Sequence, residues 1–330
     1  MLRLDFRPYR RSFRKPLATA HGLWTQREGI ILRFEDDQGQ VSFGEIAPLP
    51  WFGTETLEQA QAFCQQWPRE FLPKQAIAIP DTLPACQFGF NCVGNHSGFG
   101  QDNGVLKTDV LPSPRVICAL LPAGVKALNT WQPLWEKGHR TFKWKIGVAA
   151  IADELALFKQ LIEVLPVEAR LRLDANGGLM PEEAESWLRA CDRTQGKVEF
   201  MEQPLPPSSV LTWVSERAVN FETAIALDES VATFQQFQQV YEQMGDRVIY
   251  VVKPAILGFS HRVSRFCRQH RLDIVFSSAL ETPVGFHRAM ELAQHIWQLG
   301  MPKRAIGFGV SQWFADDWHL LSEAAVWNQL

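Results

Sequence analysis

Six short apolar segments from residue 141 onward each end in one polar side chain, at nearly constant spacing. They end in Lys145, Asp174, Glu202, Asp228, Lys253 and Ser278, with steps of 29, 28, 26, 25 and 25 residues. Such a step is the length of a strand, a helix and their two turns. The segments are "TFKWKIG", "ARLRLDANG", "KVEFMEQP", "TAIALDES", "RVIYVVKP" and "LDIVFSSALE"; "RVICALLP" precedes them and "RAIGFGV" follows. The stretches between have helical periodicity: in "IADELALFKQLIEVLP" the apolar Ile151, Leu155, Phe158, Ile162 and Leu165 step by 4, 3, 4 and 3. Eight strands separated by helices imply a parallel sheet with right-handed crossovers. At this length a closed barrel is the favoured form. An open doubly wound sheet is the alternative, but no strand is followed by the GxGxxG turn of a dinucleotide site.

In a barrel, one residue per unit at the same point places all six around a single ring at the C-terminal mouth, where barrel enzymes carry their active sites. Its three central members are carboxylates on successive strands. Taken singly, each would cap a helix or pair with a lysine. In register, they are three oxygen donors suited to a hard divalent cation such as Mg2+, with Mn2+ as a substitute. Without a cation they would repel one another, and their pKa values would rise. Lys145 and Lys253 fall on opposite sides of such a ring. A cation between two opposed lysines suits removal of a proton next to a carboxylate: metal and one lysine stabilise the enolate while the other lysine takes the proton. Lys143 and Lys145, two apart in "KWK", share one face of their strand. A neighbouring ammonium and a nearby dication disfavour a second charge, so Lys143 is read as a helper that lets Lys145 act as a base. An edge strand with two solvated lysines is the plainer reading of "KWK" alone.

The first third differs in texture. "EGIILRFEDDQGQVSFGEIAPLP" (28–50) reads as strand, turn and strand, and "TETLEQAQAFCQQW" (54–67) as a helix capped by Thr54 or Thr56. Residues 68–114 are irregular. "GNHSGFGQDNG" (94–104) reads as a loop, and it lacks the lysine–Ser/Thr ending of a phosphate loop. The basic cluster "RPYRRSFRK" is read as the solvated part of a first strand. With a net charge of −3 and no sustained basic surface, nucleic acid is not an expected partner. No apolar run is long enough to span a bilayer, and the start lacks the apolar core of a signal peptide. Six cysteines without CxxC spacing read as reduced, packed thiols of a cytoplasmic enzyme. Monomer and homo-oligomer both remain open.

Taken together, "KWK" (143–145), "LDAN" (173–176), "EQP" (202–204), "LDES" (227–230) and "VVKP" (251–254) resemble the enolase superfamily, in its muconate-lactonizing-like branch. The first domain is similar to that branch's capping domain through "REGIILRFEDDQGQVSFGEIAPLP" and "ETLE". The resemblance implies a (β/α)7β modified TIM barrel over 115–310, an N-terminal α+β capping domain over 1–114, and a C-terminal extension, 311–330, that folds back onto the cap. It also implies a lysine base working with Mg2+. Lys145 would be that base, Asp174, Glu202 and Asp228 the metal ligands, and Lys253 the stabiliser of the enolate's charge.

Within the branch, "APLPWFGTETLE" (47–58) and "FSSALETPVG" (276–285) resemble the dehydratases. These convert the small carboxylate 2-succinyl-6-hydroxy-2,4-cyclohexadiene-1-carboxylate to 2-succinylbenzoate by syn loss of water, a step towards menaquinone or phylloquinone. Arg172, on the face of Asp174, would meet a carboxylate, support the metal site, or form an ion pair inside the barrel. Ser277 or Ser278 and the backbone near Gly307 would hold the succinyl end. The loop 19–27 would cover the mouth, with His21 and Trp24 as packing residues or ligands. Two rivals stand beside this reading. One is a racemase or epimerase of N-succinylamino acids or dipeptides, although "AIGFGVSQWF" (305–314) lacks the paired aspartates of dipeptide epimerases. The other is a barrel that binds a ligand without chemistry.

Overall fold

The computed structural model describes residues 1–19, 22–93 and 113–330. The chain begins with two long antiparallel strands, β1 (Leu2–Thr19) and β2 (Gly22–Asp36). They are joined by β3 (Val41–Ile46) and the short β4 (Glu70–Phe71) in the order β3-β2-β1-β4. The turn expected at "DDQGQ" forms because the Asp36 carboxylate accepts from the N–H groups of Gln38 and Gln40, at 2.9 and 2.8 Å; short Asx side chains make turns in this way. The helix expected over 54–67 is α1 (Leu57–Gln66). Thr56 caps it in a reciprocal box with Gln59. The segment 19–27, expected as a loop over the mouth, is strand at Thr19 and from Gly22 onward, so the mouth is covered by a hairpin arm. His21 lies outside the described residues, as do residues 94–104. Helix α2 (Pro84–Gly89) completes the cap.

Seven parallel strands follow: β5 (Cys118–Leu121), β6 (Thr141–Lys145), β7 (Arg170–Asp174), β8 (Val198–Glu202), β9 (Ile225–Leu227), β10 (Ile249–Val252) and β11 (Ile274–Phe276). Their order in the sheet is their order in the chain. The intervening helices are α3 (Ala127–Glu136), α4 (Ile151–Val164), α5 (Pro181–Asp192), α6 (Pro207–Glu216), α7 (Phe234–Met244), the short α8 (Pro254–Leu257), α9 (Ser260–His270) and α10 (Pro283–Gln298). The eighth strand is reduced to Ile306, bridged in parallel to Ile117, and Gly307, bridged in parallel to Ser277. These two bridges join the sheet's edges, giving a (β/α)7β modified TIM barrel beneath an N-terminal capping domain. Glycine suits the closure point, where a Cβ on Gly307 would lie 3.1 Å from Ser277 Oγ.

The main core lies between barrel and helices, where Trp144 of β6 meets Trp187 of α5 edge-on. The lumen is packed with Phe200, Ala226, Val251 and Val275. Strands β8 to β11 bury apolar side chains on both faces, as a sheet covered inside and out requires, whereas β6 and β7 turn charged residues inward.

The cap is tied to the barrel by Glu45 at the end of β3. Its buried carboxylate accepts from Tyr9 Oη at 2.6 Å, Thr282 N at 2.9 Å, Gly285 N at 2.9 Å and Thr282 Oγ1. The last three groups are the start of α10, whose free N–H groups favour an anion. A Cβ on Gly285 would lie 2.7 Å from Glu45 Oε2, so the contact depends on that glycine. At the other end of the chain, Ala315 N donates to Ser12 O, and the final helix, α11 (Glu323–Asn328), brings Trp327 against Phe43. Arg11 corrects the solvated reading of the basic cluster. It is 3% exposed, forms a two-pronged pair with Asp316 (3.0 and 2.8 Å), and lies 3.6 Å over the ring of Phe314. Among the described residues no helix is long and apolar enough to cross a membrane.

Candidate active site

A cavity of about 820 Å3 opens at the C-terminal ends of the barrel strands. The ten residues assigned to the catalytic, metal and substrate sites in the sequence all line it: Lys143, Lys145, Arg172, Asp174, Glu202, Asp228, Lys253, Ser277, Ser278 and Gly307. Strand register explains why. Lys145 pairs with Asp174 and Asp174 with Glu202, so three neighbouring strands carry their polar ends at one level. Asp228 follows the end of β9, and its N–H is held by Gln203 Oε1 at 3.1 Å. The loop after Lys145 is fixed by the buried Glu154, which accepts from the N–H groups of Gly147, Val148 and Ala149 at 2.8 to 3.1 Å.

The carboxylates are buried: Asp174 is 7%, Glu202 2% and Asp228 6% exposed. The Lys143 ammonium stands between two of them, 2.7 Å from Asp174 Oδ2 and 2.8 Å from Glu202 Oε1. Lys253 is paired with Asp228, and its ammonium lies 4.8 Å from the ring centre of Phe52, a residue of the cap. Burial pulls the Lys143 pKa down, but attraction to Asp174, Glu202 and Asp228 outweighs it and holds the value well above that of an ordinary lysine. For Glu202, burial pushes the carboxyl up to about 8; Lys143 opposes this, and repulsion from Asp174 and Asp228 adds to it.

Glu229 was missed in the sequence. It lines the cavity, receives Asn176 Nδ2 at 3.1 Å on one oxygen, and has no partner on the other. Burial, then Asp228 and Asp174, push it up to about 7. Its neighbour Asp228 carried the spacing signal; Glu229 itself falls off the ring, and no periodicity marks it. The aromatic wall was also missed: Trp51, Phe52 and Trp313 reach the cavity from outside the barrel repeat. Trp24, left open in the sequence, joins them and meets Trp51 edge-on.

Arg172 is partly absorbed by the barrel. Its Nε donates to Glu199 Oε2 and its Nη1 to Ala305 O, both at 2.7 Å, while its buried Nη2 has no partner. Ser278 Oγ donates to Glu281 Oε2 at 2.9 Å.

Among the described residues, no three His, Cys, Asp or Glu side chains converge tightly enough to ligate a cation as they stand, because Lys143 fills the gap between Asp174 and Glu202. The chemistry of the set nevertheless fits. Four buried or half-buried carboxylates face three lysines; burial first, and then repulsion among the acids, pushes Glu202 and Glu229 up towards neutral pH, and a hard dication would relieve that repulsion.

Two family models match the chain: the enolase C-terminal domain-like family over residues 127–316, and "MenC, N-terminal domain" over residues 9–96. The o-succinylbenzoate synthase of Thermosynechococcus vestitus is 42% identical over 94% of both chains. The chain belongs to the o-succinylbenzoate synthase family of the enolase superfamily.

The crystal structure of the o-succinylbenzoate synthase from Thermosynechococcus elongatus BP-1, described as complexed with Mg in the active site, superposes with a TM-score of 0.83. It is 39% identical and covers 99% of this chain and 100% of its own. A more distant o-succinylbenzoate synthase, from Pasteurella multocida, is 28% identical over 82% of this chain and 78% of its own. As a member of the o-succinylbenzoate synthase family, the chain is an enzyme with a small-molecule substrate. Its cavity has a charged end formed by the barrel and an aromatic wall formed largely by the cap.

Proposed function

We propose that this chain dehydrates 2-succinyl-6-hydroxy-2,4-cyclohexadiene-1-carboxylate to 2-succinylbenzoate, with Lys145 as the base. The observation that carries the reading is a pair of opposed lysines, Lys145 on β6 and Lys253 after β10, flanking three buried carboxylates in one cavity. Lys145 Nζ takes the proton from the ring carbon that bears the carboxylate. The electron pair of the broken C–H bond moves towards that carboxylate, and Lys253 faces the resulting charge with its ammonium. The pair then returns to the ring as the C–O bond to the 6-hydroxyl breaks. The hydroxide departs on the face of the base, takes a proton and leaves as water, so the ring becomes aromatic and the overall step runs downhill.

Asp174, Glu202 and Asp228 would hold Mg2+, or Mn2+ in its place. When bound, the cation supplies positive charge to the substrate carboxylate and lowers the cost of the enolate. Lys143 would have to withdraw from between Asp174 and Glu202, towards Lys145, whose protonated form it then disfavours. The buried, partner-free Nη2 of Arg172 suits a substrate oxygen. Ser277, Ser278 and Gly307, on the opposite rim, suit the succinyl end. The six free thiols are in keeping with a reducing, cytoplasmic setting.

The test is spectrophotometric. Purified protein is mixed with the cyclohexadiene substrate and Mg2+, and then with excess EDTA. Loss of the diene absorbance that EDTA abolishes is the expected result. No loss in folded, metal-loaded protein would reject the dehydratase, and N-succinylamino acids would be the next substrates.

A further inference from the structure

Arg27 is a buried cation held by backbone carbonyls and not by a paired carboxylate among the described residues. It lies on β2, is 2% exposed, and among the described residues forms no ion pair. Its guanidinium donates instead to four backbone carbonyls. Nε reaches Ala279 O at 3.1 Å, Nη1 reaches Glu28 O at 2.7 Å and Pro48 O at 2.9 Å, and Nη2 reaches Ala47 O. Taking a guanidinium out of water without a counter-charge is costly unless its donors are satisfied. Only a planar fork with five N–H groups can meet carbonyls on so many sides.

The carbonyls belong to the segments that build the far wall of the cavity. Ala47 and Pro48 begin the loop that carries Trp51 and Phe52. Ala279 lies in the loop after β11, between Ser277, Ser278 and Leu280, all of which line the cavity. That loop needs holding. Leu280 sits at φ +62°, a left-handed conformation that is strained for a branched side chain. Its N–H is tied to Ser278 Oγ at 2.8 Å. Trp24, three residues before Arg27 on the same strand, forms the adjoining wall, with the guanidinium 5.7 Å from its ring centre. One side chain therefore joins three pieces of wall that are distant in sequence. The reacting end is held otherwise, by the barrel strands and the Lys253–Asp228 pair.

We propose that Arg27 is a positioning residue for the succinyl arm of the substrate: it locks the Ser277–Leu280 loop to the Trp51–Phe52 loop, and so sets substrate binding without taking part in the chemistry. The proposal rests on the functional reading above. An arm bound between two loops contributes equally to ground state and transition state, and loss of such uniform binding appears in KM. Lysine at this position keeps the charge but offers three donors from a point, too few for four carbonyls.

The experiment compares the wild type, Arg27→Lys and Arg27→Met in full-length, Mg2+-loaded protein. Steady-state kinetics on the cyclohexadiene substrate are combined with amide hydrogen exchange. The expected result is a KM raised tenfold or more in Arg27→Met with kcat within threefold, a KM between the two in Arg27→Lys, and faster exchange at Leu49, Phe52, Ala279 and Leu280 in both variants. KM within twofold of wild type in both, or a loss confined to kcat, overturns the proposal. If Arg27→Met does not fold, Arg27→Lys decides by the same criteria. If the wild type fails to turn over the diene, the functional reading falls; unchanged exchange at the two loops, by contrast, sinks the locking role whatever the substrate.

Discussion

Lys143 Nζ lies 2.7 Å from Asp174 Oδ2, as a counter-ion on a residue assigned to hold a cation. The same ammonium is 2.8 Å from Glu202 Oε1. If the dication binds where we propose, it would compete with this lysine for one set of oxygens. Removing the lysine leaves buried carboxylates uncompensated, which costs about 3–5 kcal/mol when a buried partner is lost. Lys143→Met should lower the melting temperature of EDTA-treated protein, and Mg2+ should raise it by more than it raises the wild type. Thermal melts with and without Mg2+ measure this. An equal Mg2+ shift in both proteins would show that Lys143 and the cation do not share the site.

Lys145 and Lys253 differ in what holds them. Lys253 is paired with Asp228 beneath the ring of Phe52, as suits a fixed positive charge. Lys145 has no comparable ion pair among the described residues, as suits a base that must be free to take a proton. Lys145→Ala should lower kcat by about 10²–10⁴-fold, the usual contribution of a positioned base, with its melting temperature close to wild type. Full activity in this variant would remove the base assignment. Lys253→Ala should also lose kcat, but unlike Lys145→Ala it leaves Asp228 unpaired and should lose stability as well.

The barrel and its ring were legible because each strand–helix unit repeats the same geometry, so spacing alone phased Lys145, Asp174, Glu202, Asp228 and Lys253. What lay outside the repeat was not legible. Phe52 meets Lys253 across a domain boundary, and Trp313 reaches the cavity from beyond the eighth strand; no local period reports such contacts. Glu229 sits one residue past the phased position, where the chain has left the strand. Arg11 could have been found. Tyr9, Arg11 and Phe13 alternate along β1 and are buried together, so the arginine shares a face with two aromatic residues. A run of basic residues suggests solvent only when that alternation is ignored.

Glu45 should matter for stability and little for catalysis. It joins cap to barrel through Tyr9, Thr282 and Gly285 and does not line the cavity. Glu45→Gln replaces an acceptor oxygen by an NH2 group that faces donors, and removes the negative charge from the start of α10. Hydrogen bonds to charged groups are worth about 1.5–3 kcal/mol each, so a loss of about 2–4 kcal/mol in urea unfolding is expected, with KM within threefold of wild type. A stability change below about 0.5 kcal/mol would show that the domains are held elsewhere.

Glu281 gives a pH dependence with a definite sign. It is 7% exposed and accepts from Ser278 Oγ at 2.9 Å and Ala279 N at 2.7 Å. Burial pushes its carboxyl up to about 7; its backbone contacts and Ser278 oppose this, and the nearby Glu45 charge adds to it. The folded value thus lies above the unfolded one. Between about pH 4.5 and pH 7 the folded state keeps a proton that the unfolded state releases, so this residue's contribution to stability falls as pH rises and levels off above pH 7. At about 1.4 kcal/mol per pKa unit, the penalty reaches about 3 kcal/mol by pH 8. Glu281→Gln keeps an acceptor for both donors and carries no proton to lose. It should be close to wild type in stability at pH 5 and more stable by about 2–3 kcal/mol at pH 8. Urea unfolding of both proteins at the two pH values measures the difference. A constant offset between the curves would mean that Glu281 does not titrate in this range, and a variant favoured at low pH would reverse the assigned direction.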